Sequence, residues 1–447
     1  MWNKAQALSA GGVNTGCPER ATPPGPALPP QLQSLALMRH PDRSTLRWHR
    51  RYGDVWKVRT GMRGRDLVLL ADPAHIRQVF AADPAKVHGG HANAIFAPLM
   101  GEGSLMLMEA GEHQRTRQLL LRQLTGAALD AHRAAITETV AGHVARWPVG
   151  QPVSLVERVE RLCLDVILGV VFGDHETARL APLRTHVEAL SRVTPTVLAG
   201  WFFPALQRVG PWRRYLNTRD RYDALLRTEI GARRAAGATG RYLLDGLLSH
   251  REAGAGLSDR TVRDHVTTLV LAGYSATSAA LVWSLYELAL RPPVLRRAQR
   301  AADERDDEYL DAVVKETLRV RPLIPHVTRR LVEPMEIAGY ELAAGTEIAP
   351  SIAAVQHNAV HHPDPERFRP GRFAGGSPAV NSWIPFGGGA RRCVGAQYSM
   401  LEATTFLAEV LRRYDVSPAA CRREPARRHG IAFMPGRGGR VVLARHR

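Results

Sequence analysis

Lysine is nearly missing from this 447-residue chain: Lys4, Lys57, Lys86 and Lys315 are the only ones among 60 basic residues, so arginine supplies almost all of the positive charge. Cysteine is also scarce. Its four copies, Cys17, Cys163, Cys393 and Cys421, are widely scattered. They form no CxxC, CxxCH or Cys/His zinc spacing, which excludes a disulfide framework and a zinc-finger fold. A reducing, cytosolic compartment fits such usage. Aromatic residues make up only 6% of the chain. No long apolar run occurs between Met1 and Arg20, so neither a signal peptide nor a membrane anchor is expected there. Internal repeats and an interior linker are absent too, which favours one large folded unit over the two or three domains that a prior of about 150 residues each would suggest.

What the chain has in excess is positive charge, a formal +18. Such a field attracts nucleic acid, acidic lipid headgroups or an acidic protein. The arginines are dispersed, however, with no aromatic-interleaved strand motif to read bases. A Pro/Gly-rich stretch, Thr22 to Pro30, divides a short polar leader, 1–23, from a body covering 24–447. Pro41 to Tyr52 has helical periodicity. Asp54–Thr60 and Asp66–Leu70 alternate as two strands around Gly61–Gly64, and Asp72-Pro73 caps a helix to about Ala81. Val87 to Met108 is loop-like, and helical periodicity then dominates from Glu109 to Leu290. Its longest case begins at Ser258-Asp259, a suitable N-cap, and stops before Pro292-Pro293. Thr267 to Leu288 is apolar nearly all round, as in a core helix. A further helix, Glu308 to Arg321, precedes short alternating segments between Val327 and Ile352. The fold class expected is mainly α with a small β region.

One segment carries specific chemistry: Phe386-Gly387-Gly388-Gly389-Ala390-Arg391-Arg392-Cys393-Val394-Gly395. A glycine-rich turn delivers a single cysteine to the start of a helical stretch, Ala396 to Tyr414. Backbone N–H groups and the positive end of that helix favour a thiolate. A lone thiolate offered this way suits an axial position of haem iron, where it favours O–O cleavage. Phe386, Gly389, Arg391, Cys393 and Gly395 match every fixed position of Phe-x-x-Gly-x-Arg-x-Cys-x-Gly. In this the chain resembles the cytochrome P-450 haem-thiolate monooxygenases.

That resemblance implies a single large, mainly helical cytochrome P-450 domain holding haem b, with Cys393 as the metal ligand and Gly387 in the cofactor loop. Glu316-Thr317-Leu318-Arg319 is similar to the family's Glu-x-x-Arg, which joins an arginine from the later meander in a buried triad. Two near-copies, Pro365–Phe368 and Pro370–Phe373, offer that third member; the copy nearer the cysteine points to Arg372. The haem propionates are expected to meet His113 and Arg117, one turn apart, together with Arg329 and Arg391. The same resemblance places the oxygen groove at Ala272 and Gly273. There the chain departs from pattern, with Ser275 where the family carries an acid and Ala276 where it carries threonine. Thr277 lies one step further on, about 100° round the helix. Three routes stay open: ordered water with Ser275 or a substrate hydroxyl, a local bulge that brings Thr277 into place, or peroxide-driven chemistry.

The implied substrate pocket draws on Ile95, Phe96, Leu99, Val197, Leu198, Trp201, Phe202, Pro325, His326, Val327, Phe433 and Met434. Its apolar character suits a small or medium lipophilic molecule such as a terpenoid, polyketide or fatty acyl compound. His326 is placed to orient a polar group. With no flavin or reductase domain attached, electrons are expected singly from an acidic ferredoxin-type partner and its reductase. The reading is a cytoplasmic monooxygenase. An oxidase-type or peroxide-using catalyst of coupling, desaturation or rearrangement, and a non-catalytic haem-thiolate sensor, are its rivals.

Overall fold

The structure is a computed structural model that describes residues 22–39, 41–60, 65–173, 180–192, 194, 197, 200, 208, 210–237, 240, 242–252, 255–376 and 378–446. Its axis is the longest helix. Ser258 caps it, the hydroxyl accepting from the Thr261 N–H at 3.1 Å, and a missing cap of this kind typically costs about 1 kcal/mol. The helix runs from Asp259 to Ala289 and ends just before Pro292. At 1.5 Å per residue it spans about 46 Å. Leu281, Val282, Leu285 and Leu288 are fully buried on it, each side chain contributing about 1.5–3 kcal/mol of burial. It is the one described helix long and apolar enough to cross a membrane, but 83% of its apolar window is buried. It is therefore the core helix of a packed body.

Six further helical elements frame the site, in chain order with the long helix: α1 (Ala97–Met100), α2 (Ala110–Leu124), α3 (Leu155–Phe172), α4 (Gly210–Ala236), α5 (Asp259–Ala289), α6 (Asp307–Val320) and α7 (Ala396–Arg413). The long helix α5 packs on α3, α4, α6 and α7, and one continuous hydrophobic cluster fills the space between them. A five-stranded sheet lies to one side. Its strands are β1 (Val55–Thr60), β2 (Arg65–Leu70), β3 (Val87–His88), β4 (Arg329–Leu331) and β5 (Glu347–Pro350), in the order β1-β2-β5-β4-β3. Only the β2–β5 pairing is parallel. The hairpin β6 (Ala426–His429) and β7 (Ala432–Pro435) returns against α5. The mainly α, small-β class expected from periodicity is what the chain adopts, as one domain.

Two stretches differ from the sequence reading. The loop expected over Val87–Met108 holds β3, a 3-10 helix His91–Phe96 and α1. These elements are too short for periodicity to reveal them. The helical run expected from Glu109 to Leu290 is interrupted by Pro152–Val153, which pairs with Val441–Val442 of the C-terminal strand. Proline at 152 removes a backbone donor there, as suits an edge strand.

Candidate active site

Between Ile384 and Gly395 the backbone folds back on itself. Ile384 O accepts from Gly387 N, and Phe386 O accepts from Cys393 N, both at 2.9 Å. Gly387 and Gly389 adopt φ of +64° and +63°, the left-handed region that glycine enters without penalty. A Cβ on Gly389 would lie 2.1 Å from the Phe80 carbonyl oxygen, and one on Gly388 2.2 Å from the Phe80 ring. The cysteine loop is thus seated directly on the helix Pro73–Ala81. Phe386 meets Trp383 edge-on at 6.1 Å, and the Trp383 indole donates to the Lys315 carbonyl of α6 at 3.1 Å.

Cys393 is exposed. Desolvation nonetheless dominates its protonation and pushes the thiol pKa up, opposed by the Gly395 backbone, Arg117 and Arg392. The sulfur is thus accessible, while the protein packed around it disfavours its anionic form. The dipole and backbone donors alone therefore do not make it a thiolate, whereas a coordinating metal deprotonates a thiol outright.

Basic residues gather beside it. His113 and Arg117 lie on α2, Arg329 on β4 and Arg391 in the cysteine loop. Arg117 donates to the Arg392 carbonyl. Arg391 donates to the Met108 carbonyl and to the Glu109 carboxylate. Burial first, and then Arg391, lower the pKa of Arg329 to about 10 against the opposing pull of Glu109. His113 falls to about 3, through burial first and then through Arg391, Arg117 and Arg329. Three guanidiniums thus share a half-buried region, with Glu109 the one carboxylate bonded to them among the described residues. A cofactor bearing two carboxylates beside an iron that takes a thiolate would balance this charge. The residues present fit haem.

Glu316, Arg319 and Arg372 are brought together. Arg319 forms a bidentate pair with Glu316 at 2.7 and 2.9 Å, both side chains fully buried. Arg372 reaches the same carboxylate at 3.4 Å, and the Arg369 N–H donates to it at 2.7 Å. Arg367, from the other near-copy, contributes its carbonyl to Arg319 at 3.1 Å.

Along α5, Ala272, Gly273 and Ala276 are half-buried while Tyr274, Ser275, Thr277 and Ser278 are buried. Residues 272 and 276 lie one turn apart and line one stripe. The helix is α throughout, without a bulge. Thr277 donates to the Ser399 hydroxyl of α7 at 3.2 Å. A Cβ on Gly430 would sit 3.6 Å from the Ser275 hydroxyl, which places Ser275 against the β6–β7 turn. Neither hydroxyl belongs to the accessible stripe.

Of the pocket residues, Ile95 and Phe96 are half-buried in the 3-10 helix and Leu99 is buried in α1. Val197 and Met434 belong to the main hydrophobic cluster. Phe433 is buried, with its carbonyl bonded to the Trp283 indole at 2.7 Å and Arg428 over its ring. Pro325, His326 and Val327 are half-buried beside β4. Burial lowers the His326 pKa to about 4, so it is a neutral imidazole at neutral pH, and its Nδ1 has no hydrogen-bond partner among the described residues. Leu198, Trp201 and Phe202 lie outside the described residues. A separate cavity of about 340 Å³, lined in part by Pro24, Leu28, Gln33 and Lys57, contains none of these residues.

Two organising side chains escaped sequence reading. Glu109 joins Arg391 to the Gly89 and His91 backbones at 3.1 and 2.9 Å. Gln356 donates to the Leu318 carbonyl at 2.9 Å and accepts from Ile384 N at 3.1 Å, tying α6 to the cysteine loop. No local motif marks either one.

A thiol-bearing glycine loop, a cation cradle and a long helix with a small-residue stripe together define a haem-protein class. The family model described as Cytochrome P450 matches residues 23–439, and the chain belongs to that family. It is 37% identical over 425 residues to "Putative cytochrome P450 135A1" of Mycobacterium tuberculosis, covering 94% of this chain and 95% of the relative. It is 36% identical over 436 residues to "Putative cytochrome P450 135B1" of Mycobacterium bovis, covering 96% and 92%. A retinoic-acid-bound cyanobacterial CYP120A1 has the same fold at a TM-score of 0.84 and 21% identity, covering 96% of this chain and all of that one. The chain is accordingly a P450-type monooxygenase with a haem cofactor, in a family that generally uses redox partners and hydrophobic substrates.

Proposed function

We propose that the protein holds haem b through Cys393 and oxygenates a small or medium lipophilic compound with electrons from an acidic ferredoxin-type donor. The carrying observation is the accessible Cys393 thiol beside cations that carry more charge than Glu109 balances. Bound haem supplies dioxygen activation, which a thiolate ligand favours. Arg117, Arg329 and His113 would hold the propionates. Arg391 would do so while tethered to Glu109. Glu316, Arg319 and Arg372 keep the meander, and with it the cysteine loop, in register. Ala272 and Gly273 would leave room for dioxygen, and Ile95, Phe96 and Leu99 would present an apolar wall. His326 offers a neutral imidazole to a polar group of the ligand. The basic surface, +18 overall, suits an acidic electron donor, and a cytoplasmic setting fits the cysteine usage.

The test is Cys393→Ser. The parent should show the reduced carbon-monoxide spectrum of a thiolate-ligated haem and the variant should lose it; a variant that keeps it refutes the assignment. One observation favours a second reading of the chemistry. The accessible stripe of α5 presents no acid or alcohol, because Thr277 is engaged with Ser399 and Ser275 faces the hairpin turn. Protons would then come through water or a substrate hydroxyl, or hydrogen peroxide would supply oxygen and reducing equivalents together. Faster product formation with hydrogen peroxide than with NADPH, ferredoxin and reductase would favour the peroxide route.

A further inference from the structure

The segment carrying Ile95, Phe96 and Leu99 is joined to α5 by polar contacts at a regular spacing. Arg260 pairs with Glu102 at 3.0 Å. One turn on, Asp264 Oδ2 accepts from the Gly103 N–H at 2.9 Å. Another turn on, the Thr268 and Ser104 hydroxyls meet at 2.7 Å. Positions 260, 264 and 268 share one helix face, and the same i, i+4 progression leads to Ala272. Asp264 and Ser104 are almost fully buried. The other carboxylate oxygen of Asp264 is held by Arg263 at 2.8 Å, and Arg263 is in turn paired with Asp223 of α4. One buried carboxylate therefore connects α4, α5 and the 101–104 turn.

The turn is shaped for this contact. Gly101 adopts φ +85°, and a Cβ there would lie 2.1 Å from Asp264 Oδ1; a Cβ on Gly103 would lie 3.0 Å from Oδ2. No side chain can stand between the turn and the carboxylate. Three residues along α5 from Asp264, Thr267 makes a separate contact, accepting from the Tyr222 hydroxyl of α4 at 3.3 Å, so the helix stays anchored to α4 when the turn is released.

We propose that Asp264 is the positioning residue of a clasp, completed by Ser104 and Thr268, which holds 97–104 over α5 and sets how fast ligands enter and leave the pocket; the role in ligand traffic rests on the monooxygenase reading above. Asp264 touches neither cofactor nor reacting atoms. It acts through the loop. Losing a charge-assisted bond between a buried carboxylate and a half-buried backbone donor should raise the open population by roughly tenfold.

The test uses holoenzyme carrying Asp264→Ala, and separately Thr268→Val, with 4-phenylimidazole as the probe. Stopped-flow absorbance should show association and dissociation rates rising together, by roughly tenfold in Asp264→Ala, with the equilibrium constant changing less than either rate. In ligand-free protein, hydrogen exchange at the amides of 101–108 should accelerate in both variants. Parent-like rates and exchange in correctly absorbing variants overturn the clasp. If the parent itself shows no haem absorption, the monooxygenase reading falls, and the exchange at 101–108 still decides whether the clasp exists. If Asp264→Ala fails to fold, Thr268→Val and Ser104→Ala carry the same measurements.

Discussion

Replacing Arg319 by alanine should be far more damaging than replacing Arg372, although both meet Glu316. Arg319 is fully buried and makes four hydrogen bonds, two to Glu316 and one each to the Gln356 and Arg367 carbonyls at 3.0 and 3.1 Å. Its removal strands a buried carboxylate and two carbonyls. The remaining guanidinium, Arg372, reaches Glu316 through one contact of 3.4 Å and is itself partly exposed. Breaking a buried ion pair from one side costs about 3–5 kcal/mol, whereas a partly exposed, monodentate pair contributes about 1 kcal/mol or less. For a chain of 447 residues, each kcal/mol moves the melting temperature by about 1 °C. Arg319→Ala should therefore melt about 3–5 °C lower and Arg372→Ala within about 1 °C of the parent. Urea unfolding at fixed haem loading and the ratio of haem to protein absorbance supply the assay. The Gln356 side chain touches both the α6 terminus and Ile384 N, so Arg319→Ala should also lower haem content. Equal destabilisation by the two variants would refute the argument that burial, and not the pairing itself, sets the cost.

Gly389→Ala should destabilise by about 2 kcal/mol or more, since alanine must adopt positive φ and collide with the Phe80 carbonyl; haem loading and chemical denaturation check it. Ala276→Thr adds a hydroxyl to the accessible stripe of α5 and should leave haem binding unchanged while altering the ratio of product to NADPH consumed. An unaltered ratio would count against any proton-relay role at that position. Burial lowers the His265 pKa to about 4, against a smaller opposing effect of Asp264. With the folded pKa below the unfolded value of about 6.5, its stability contribution is complete above pH 6.5 and is lost as pH falls towards 4. His265→Leu should thus gain on the parent by at most about 1.4 kcal/mol per pH unit across that window, read from unfolding at stepped pH.

The cysteine loop could be read in advance because its chemistry is local: glycines, arginine and sulfur stand within ten positions, and two of those glycines do adopt positive φ. Glu316 and Arg319 were legible for the same reason, three residues apart on one helix. Choosing Arg372 over Arg367 needed the family pattern; in the structure the Arg372 guanidinium meets Glu316, whereas Arg367 offers only its carbonyl, to Arg319. Glu109 and Asp264 were invisible because their partners are distant in sequence, at Arg391 and Gly103. An acidic residue near a helix start is too common to announce such a partner. The long helix announced itself by its cap and its apolar middle. The direction of its hydroxyls did not, because Thr277 turns to α7 through a contact that only packing specifies.

Thr277 and Ser399 rivet the long helix to the one that follows the cysteine. On the function proposed above, the spacing between the small-residue stripe of α5 and the sulfur would therefore be set by the helical body alone. The clasp proposed above would make the doorway a different component, a glycine turn fastened from outside. Natural drift or a designer can retailor the doorway to new molecules while the gap across which the chemistry runs keeps its gauge.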